Sequence, residues 1–293
     1  MYFGSVRFFK NLILAFIIIA IGLGAGFALH YHHNLVKTQE ELDSLKGATS
    51  QFLSQDALGN ISFSGEKDLP YQNLYPEFYA PRTPVTTEQP DNVIYLTFNE
   101  GPTAQTTAIL SALAQSNVKA TFFVTAQDQG EEAKEALRAI ADAGHTIGLL
   151  SWSNNYSVIY SSVEAYLDDM NRLFTYIQDT TGVTPSVFRF PGGSLNSYNT
   201  GLYQELIAEM LRRGFVPFDW NISAQDTSLE TAAEVSNRVV SLAETMPRSI
   251  VLLHSTGEVT ADAIKDIVEP LKENGFLFAP LTEEVRPILF SYR

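Results

Sequence analysis

From residue 93 onward, short apolar segments alternate with longer segments in which apolar residues recur every three or four positions. The short segments have the length and the β-branched or aromatic content of buried strands, and the longer ones have the period of amphipathic helices. The predicted strands are 93–98, 120–124, 146–150, 186–190, 215–218, 249–254 and 276–281. The predicted helices are 104–116, 131–143, 161–180, 200–213, 230–245 and 260–273. This alternation predicts a parallel α/β sheet, either open or closed as a barrel.

A separate apolar run occupies residues 12–29, where eighteen successive positions carry no charged side chain. At ~1.5 Å rise per residue, a helix of this run with its flanks just spans the core of a bilayer. A cleaved signal peptide is the alternative, but the run is long for one and no clear A-x-A site follows it. Because Arg7 and Lys10 precede the run, we expect a single-pass anchor with a cytoplasmic amino terminus and an extracellular main domain.

The segment between this anchor and residue 93 shows no sustained period. Residues 47–92 are rich in Gly, Ser, Thr, Gln and Pro, which predicts a linker or an extended wrap over the domain surface. Gly22 and Gly26 form a G-x-x-x-G spacing, which makes a homodimer through the anchor a further hypothesis. The predicted organisation is a cytoplasmic tip and transmembrane anchor, a stalk with a linker, and one domain, at residues 1–30, 31–92 and 93–293 respectively.

The charge balance excludes one class of partner. Lys and Arg number 19 against 33 Asp and Glu, which gives a formal net charge of −14 at pH 7. Such an excess of acid repels a phosphate backbone, so we expect no nucleic-acid partner. The chain has no cysteine, which excludes disulfides, thiolate zinc sites and cysteine nucleophiles and fits an exported position.

Polar residues, glycine, proline and tryptophan follow the carboxyl ends of five predicted strands. In a parallel α/β fold these ends lie at one edge of the sheet, where ligand sites form, so a built pocket is expected there. The residues concerned are Asn99, Glu100, Gly101, Pro102, Leu150, Trp152, Asn154, Arg189, Pro191, Gly192, Gly193, Asp219, Trp220, Asp226 and His254.

These positions carry motifs that resemble the polysaccharide deacetylase family, the NodB-homology domain or carbohydrate esterase family four. LTFNEGPT, followed by a helix and ATFFV, resembles its T-F-D-D-G-P opening, and GHTIGLLSWSNNY resembles its second motif, G-H-x-I-G-x-H-[ST]-x-x-H. FRFPGGS, FDWNISAQD and IVLLHS resemble the later R-x-P-x-G, D-W and I-x-L-x-H-D motifs. The five occur in family order from residue 93 to about 284 and leave the first 90 residues uncovered.

The resemblance implies a distorted (β/α) barrel of about seven parallel strands, here behind an N-terminal transmembrane helix. It also implies metal-assisted hydrolysis of the amide of an N-acetyl sugar, in which one Asp and two His hold a divalent metal, usually zinc. Another Asp acts as general base and a late His as general acid. His254 stands at the acid position, and the other positions that match the family are Arg189, Asp226, Pro191, Gly193, Asp219 and Trp220. Gly192 and Trp152 are also assigned to the substrate-binding groove.

The base and metal positions depart from the family pattern. Asn99 stands at the base position, and an amide cannot take a proton from water at neutral pH. Glu100 stands at the liganding Asp, where its extra methylene displaces the oxygens, and Leu150 and Asn154 stand at the two liganding His. Leucine cannot coordinate a metal, and an amide carbonyl is poorly suited to zinc. We therefore expect no intact metal site and no cofactor.

Several retained side chains have structural alternatives. Arg189 is expected either to contact substrate or to be held by a carboxylate such as Asp219 or Asp226, and Trp220 either to pack in the core or to support a sugar ring. His145 precedes the third strand, so we expect it at the opposite edge of the sheet in a structural role. Ser255 replaces the Asp that follows the late His in the family, which predicts a less well oriented imidazole.

Three hypotheses of function follow. The first is a membrane-anchored, catalytically inactive family member that binds cell-wall glycan such as peptidoglycan, or a partner protein, in the old substrate groove. The second is an active deacetylase of peptidoglycan or a chitin-like glycan, with an altered site that uses Glu100 and His254 and holds zinc or another divalent metal. The third is a scaffold in which the anchor and stalk act and the barrel is passive.

Overall fold

The structure is a computed structural model, and it describes residues 69–290. Its centre is a curled sheet in which every ladder is parallel, in the order β5-β4-β3-β2-β1-β7-β6, with β8 paired to the start of β1. The strands are β1 (Val93–Asn99), β2 (Thr121–Thr125), β3 (Thr146–Ser151), β4 (Val187–Phe188), β5 (Val216–Pro217), β6 (Ile222–Ser223), β7 (Arg248–His254) and β8 (Leu277–Phe278).

Within residues 69–290, seven α-helices connect the strands. They are α1 (Gln105–Gln115), α2 (Glu131–Asp142), α3 (Tyr156–Ile159), α4 (Val163–Thr181), α5 (Tyr203–Arg212), α6 (Ala232–Ala243) and α7 (Thr260–Glu273). Capping residues explain where several of them begin and end. The Ser162 hydroxyl accepts from the Ala165 N–H at the start of α4, Gly182 ends that helix with φ 73°, and Thr231 forms a capping box with Glu234 before α6.

Alternate residues of β1 enter two different apolar clusters. Ile94, Leu96 and Phe98 join the outer cluster, which contains the buried faces of the helices. Val93 and Tyr95 join the inner cluster, which lies inside the curl and contains no helix residue. The inner cluster is Val93, Tyr95, Phe123, Leu150, Val187, Val216, Phe218, Ile250, Leu281 and Val285. Because side chains alternate along a strand, Asn99 lies on the same face as the inner cluster.

The prediction of a parallel α/β fold with about seven strands is confirmed. Within residues 69–290 no ladder joins β5 to β6, so the sheet is a curled half-barrel rather than a closed barrel. Two elements were missed, the two-residue β6 and the one-turn α3, because segments this short show no hydrophobic period. The last predicted strand shrinks to the two residues of β8.

Residues 69–92, which have the composition of a linker or wrap, pack against the rest of this unit. A 3₁₀ helix spans Pro70–Asn73, and Phe78 is fully buried in the outer cluster. The buried guanidinium of Arg213 forms an ion pair with Glu209 at 2.6 Å. It also donates hydrogen bonds to the carbonyl oxygens of Tyr71, Leu74, Tyr75 and Phe78. The compact unit therefore includes residues 69–92, which precede the first strand.

The predicted membrane anchor at residues 12–29 and the Gly22 and Gly26 pair lie outside the described residues. Among the helices between residues 69 and 290, none has the length and apolar character needed to cross a bilayer.

Candidate functional site

The carboxyl ends of the strands bring most of the predicted site residues together at one edge of the sheet. Direct contacts link the end of β1 to the segments that follow β3, β4 and β7. Parallel strands end at a common edge, which is why motifs separated by up to 156 residues meet there. We call this region the groove.

Asn99 and Arg189 form the floor of the groove. Arg189 is fully buried, and its Nη1 donates to Asn99 Oδ1 at 2.7 Å. Its Nε and Nη2 donate to the carbonyl oxygens of Phe218 and Asp219, and its guanidinium lies 4.2 Å from the centroid of the Phe123 ring. Burial lowers the pKa of Arg189 to about 9, and the nearby Asp219 carboxylate opposes that shift. The guanidinium is held by an amide and carbonyl oxygens, and in residues 69–290 it forms no ion pair with either candidate carboxylate.

Glu100 follows directly after β1 and has a positive φ of 68°. Its backbone N–H donates to the carbonyl oxygen of Phe123 at 3.0 Å, which fixes its place beside β2. The carboxylate accepts from Asn154 Nδ2 at 3.5 Å and from Thr256 Oγ1 at 3.2 Å. It therefore lies between the segments that follow β3 and β7 and is bound only by uncharged donors there.

Leu150 and Asn154 occupy the positions of the two family histidines. Leu150 is 2% exposed and belongs to the inner cluster, so it offers packing in place of a ligand atom. Asn154 has φ 53°, and its Oδ1 is buried without a hydrogen-bond partner in the described part of the chain. The contact of its Nδ2 with Glu100 is at the long limit of a hydrogen bond.

Asp169 on α4 holds the segment after β3 through hydrogen bonds, and its role was not predicted from the sequence. Its carboxylate accepts from the hydroxyl groups of Ser151 and Ser153, both at 2.6 Å. It also accepts from the backbone N–H groups of Trp152 and Ser153 at 2.7 and 2.9 Å. Its position on the apolar side of the predicted helix was the only indication in the sequence. That position implies burial, and a buried carboxylate needs hydrogen-bond donors.

Trp152 is held from the same helix. The guanidinium of Arg172 lies 4.6 Å from the centroid of its ring, and Tyr176 packs edge-on against it at 5.8 Å. The side chain is half-buried and packs against the outer cluster. The Trp152 side chain therefore lies next to the groove, and one side of it contacts residues of α4.

His254, at the end of β7, is oriented by Asp226. Its Nδ1 lies 3.0 Å from Asp226 Oδ1, and its backbone N–H donates to Asp226 Oδ2 at 2.7 Å. The hydroxyl of Thr260 at the start of α7 donates to the same Oδ2 at 2.6 Å. The imidazole is 22% exposed and Asp226 is buried. The expected loss of orientation from Ser255 is not found, because the ring is held from the β6 side.

Asp219 and Trp220 follow β5 and contact the carboxyl-terminal residues. The Asp219 carboxylate accepts from the Ser194 N–H at 2.8 Å, from the Ser194 hydroxyl, and from the Phe290 N–H at 2.7 Å. Burial raises the pKa of Asp219, while its bonds with Ser194 and Phe290 act in the opposite direction. Trp220 packs edge-on against Phe290 with ring centroids 4.8 Å apart, so the indole ring takes part in packing.

The turn at Pro191, Gly192 and Gly193 separates two groups of aromatic residues. The carbonyl oxygen of Pro191 accepts from the Tyr160 hydroxyl at 2.8 Å. Gly192 and Gly193 have φ of 78° and 89°. A Cβ on Gly192 would lie 2.8 Å from the Tyr156 ring, and one on Gly193 would lie 2.4 Å from the Phe290 ring. Both glycines are required by close approach as well as by backbone conformation.

His145 lies at the opposite edge of the sheet, immediately before β3, as expected. Its Nδ1 accepts from the backbone N–H of Ala120 at 3.1 Å, and its ring packs against Phe122. Burial lowers the pKa of His145 to about 4, with a smaller contribution from Lys119.

The donor set of the groove does not fit the family metal. Of the three ligand positions, Glu100 supplies a carboxylate, Leu150 supplies no donor atom, and Asn154 turns its amide nitrogen to Glu100. No group of three or more His, Cys, Asp or Glu side chains arranged to hold a metal ion occurs among residues 69–290. Because two of the three ligand positions offer no suitable donor atom, we derive no reaction step through a metal.

The fold and the groove define a curled parallel (β/α) protein with its candidate site at the strand ends. The family model described as polysaccharide deacetylase matches residues 86–211. A peptidoglycan-N-acetylglucosamine deacetylase of Bacillus cereus is 31% identical over 198 residues, which are 66% of this chain and 70% of that protein. The chain belongs to the polysaccharide deacetylase family, as its five motifs indicate.

Solved structures agree with this assignment. The catalytic domain of a peptidoglycan N-acetylglucosamine deacetylase from Eubacterium rectale superposes with a TM-score of 0.66 and 33% identity, over 72% of this chain and 97% of that chain. A polysaccharide deacetylase of Bacillus cereus superposes with a TM-score of 0.60 and 29% identity, over 68% of this chain and 97% of that chain.

Proposed function

We propose that this chain is a membrane-anchored, extracytoplasmic member of the family that binds cell-wall glycan in the groove and does not hydrolyse it. One observation carries the proposal: the base position is an amide whose Oδ1 is held by the buried guanidinium of Arg189 at 2.7 Å. An amide oxygen has no useful basicity, and one that accepts a bond from a cation has less. Loss of a general base alone typically costs about 10²–10⁴-fold in rate.

The metal positions support the same proposal. In the family mechanism, the metal polarises the acetyl carbonyl and activates water. Here Leu150 is part of the inner cluster, so a ligand at that position would require an apolar side chain to be replaced and the packing to change. Glu100 alone among the three positions keeps an acidic oxygen.

The groove itself supports glycan binding. The turn at residues 191–193, Trp220 and His254 bring glycine, aromatic and polar groups to the strand ends, and ligand clefts use groups of this kind. Two relatives with this fold are named peptidoglycan-N-acetylglucosamine deacetylases, which makes peptidoglycan the first glycan to test. The place of the domain outside the membrane rests on the sequence of residues 7–29, and a homodimer through Gly22 and Gly26 rests on that same sequence.

One observation favours the alternative, an active deacetylase with an altered site. The His254 imidazole is partly exposed and is oriented by Asp226 at 3.0 Å, as a general acid requires. Under that alternative, Glu100 would act with His254, and zinc or another divalent metal would be held by a set of ligands different from that of the family.

The deciding experiment uses the full chain purified in detergent. We expect no acetate release from N-acetylated chitooligosaccharide or peptidoglycan above the protein-free rate, with or without added zinc, while binding of at least one of these glycans is measurable. Acetate release that disappears in Glu100→Ala or His254→Ala would establish the alternative and reject the proposal.

A restored variant serves as the positive control. It carries Asn99→Asp, Glu100→Asp, Leu150→His and Asn154→His together. Binding of about one zinc per chain by this variant, measured by mass spectrometry of the metal, would show that the scaffold still presents the family geometry. Catalysis in the restored variant alone would assign the inactivity of the natural chain to these four side chains.

A further inference from the structure

Glu100 is the only charged side chain among the four altered positions. In the part of the chain from 69 to 290, it takes part in none of the ion pairs. Its two oxygens accept from the Asn154 amide at 3.5 Å and from the Thr256 hydroxyl at 3.2 Å. Uncharged donors leave the negative charge in place, so a carboxylate without a counter-cation lies between two loops at the edge of the groove.

Two basic side chains of the groove, Arg189 and His254, have their hydrogen bonds directed to partners other than Glu100. Arg189 is buried beneath Asn99 and directs its donors to that amide and to two carbonyl oxygens. His254 is bound to Asp226, whose buried carboxylate holds the ring from the β6 side. The groove therefore presents a negative charge to any molecule that enters it at Glu100.

A pair of tyrosines includes Tyr156, which lies two residues beyond Asn154, the residue whose amide donates to Glu100. The Tyr156 ring contacts the turn at Gly192 and packs edge-on against Tyr198, with ring centroids 5.7 Å apart. Burial raises the pKa of the Tyr156 hydroxyl, and the negative charge of Glu100 raises it further, as expected for groups in the same part of the groove. Tyr198 is 55% exposed, so this aromatic pair is accessible from solvent.

A carboxylate beside aromatic rings is an arrangement that selects an ammonium group. The charge attracts the cation directly, and tyrosine faces attract it through their quadrupole. A neutral acetamido group gains neither interaction.

We infer that the groove selects glycans whose amino sugars carry a free ammonium group, and that it binds de-N-acetylated chains more tightly than N-acetylated ones. This inference rests on the proposed glycan-binding function and names the ligand class of the same groove. The chain would then recognise the product of N-deacetylation, the reaction that turns a neutral amide on the sugar into an amine and acetate.

The test compares two β-1,4-linked pentamers of equal length, one of glucosamine and one of N-acetylglucosamine, by calorimetry with the full chain in detergent. We expect the glucosamine pentamer to bind about 3- to 10-fold more tightly, from one exposed charge pair with an aromatic contribution. Glu100→Gln is expected to bring the ratio of the two dissociation constants to about one by weakening only the glucosamine pentamer. The matched control is Glu132→Gln, which removes the same charge from an exposed residue of α2 and is expected to leave the ratio unchanged.

Spermine separates sugar recognition from simple attraction to an acidic protein. Binding of spermine as tight as that of the glucosamine pentamer, or an equal effect of Glu132→Gln and Glu100→Gln, overturns the inference. Equal affinity for the two pentamers also overturns it but leaves glycan binding intact, and binding of neither overturns both. Hydrolysis cannot interfere with the glucosamine arm, because that pentamer has no acetyl group to lose.

Discussion

The groove consists of two halves that meet at the Asn99–Arg189 contact and differ in how their side chains are held. The retained half, with Arg189, Asp219, Asp226 and His254, matches the family motifs. The altered half, with Asn99, Glu100, Leu150 and Asn154, departs from them at every position. Three of the four retained side chains are at most 2% exposed, and each of these makes three hydrogen bonds or more.

This contrast shows that a residue can match a catalytic motif for two independent reasons, the requirements of folding and the requirements of catalysis. A buried guanidinium or carboxylate must keep its partners, since an unpaired buried polar group is costly whether or not the protein is a catalyst. Folding alone is thus a sufficient reason for the three buried side chains of the retained half. At the altered positions, particular ligand side chains are needed mainly for metal binding. The fold tolerates other side chains there, such as Leu150 with its apolar packing and Asn154 with its weak amide contacts.

The largest expected effect is in the retained half. Arg189→Ala removes three hydrogen bonds and leaves a cavity beside Phe123, so we expect the free energy of unfolding to fall by about 4 kcal/mol. Urea unfolding followed by tryptophan fluorescence measures it, because both tryptophans of the chain, Trp152 and Trp220, lie beside the groove. Arg138→Ala is the matched control, at an exposed guanidinium with one hydrogen bond. A loss below about 1 kcal/mol in Arg189→Ala would show that the retained half is not held by folding requirements.

Leu150→Ala tests whether the leucine of the altered half contributes to core packing. Truncation of a leucine that is 2% exposed inside the inner cluster is expected to lower the free energy of unfolding by about 3 kcal/mol. Leu277→Ala, at a side chain 53% exposed, serves as the control and is expected to cost less than about 0.5 kcal/mol in the same urea titration. Equal, small losses in both variants would contradict the assignment of Leu150 to the core.

His145 provides a reference at the edge of the sheet away from the groove. Its pKa falls from an ordinary 6.5 to about 4 on folding, so the folded state binds the proton less tightly than the unfolded state. The stability that this group contributes is therefore complete above about pH 6.5 and is lost as the pH falls towards 4, by up to about 3 kcal/mol. His145→Gln should flatten this part of the stability profile, measured by urea titration at a series of pH values. An unchanged slope in that variant would assign the acid sensitivity to other groups.

The smallest effect is expected at Asn154. Its amide makes one contact of 3.5 Å and leaves Oδ1 without a partner in the described residues. Asn154→Ala should therefore lower the free energy of unfolding by only about 1 kcal/mol, chiefly because alanine tolerates φ 53° less well than asparagine. A loss above about 1.5 kcal/mol would mean that the altered half is as strongly bonded as the retained half.

The order of the strands and helices could be predicted because apolar periods are local properties of the chain. The same is true of the five motifs and of the four departures from them, each of which is read from a single position. The exceptions, β6 and α3, are segments of two and four residues, which are too short for a period to show.

The partners of the site residues were not predictable in the same way. Arg189 was expected to contact substrate or a carboxylate, and it bonds instead to Asn99, which is 90 residues away. Asp169 and Phe290 were not predicted to take part at all, yet they hold the loop after β3 and cover Gly193.

The amino-acid sequence was sufficient to assign the family, the parallel α/β class and the positions that depart from the family motifs. It was sufficient because side-chain period and motif identity depend on neighbours within a few residues. Only the tertiary structure decided which polar atoms of the site have hydrogen-bond partners and that Leu150 belongs to the core. It also showed that Glu100 has no counter-cation among residues 69–290. Those properties depend on contacts between residues far apart in the chain, which form only when the strand ends meet at one edge of the curled sheet.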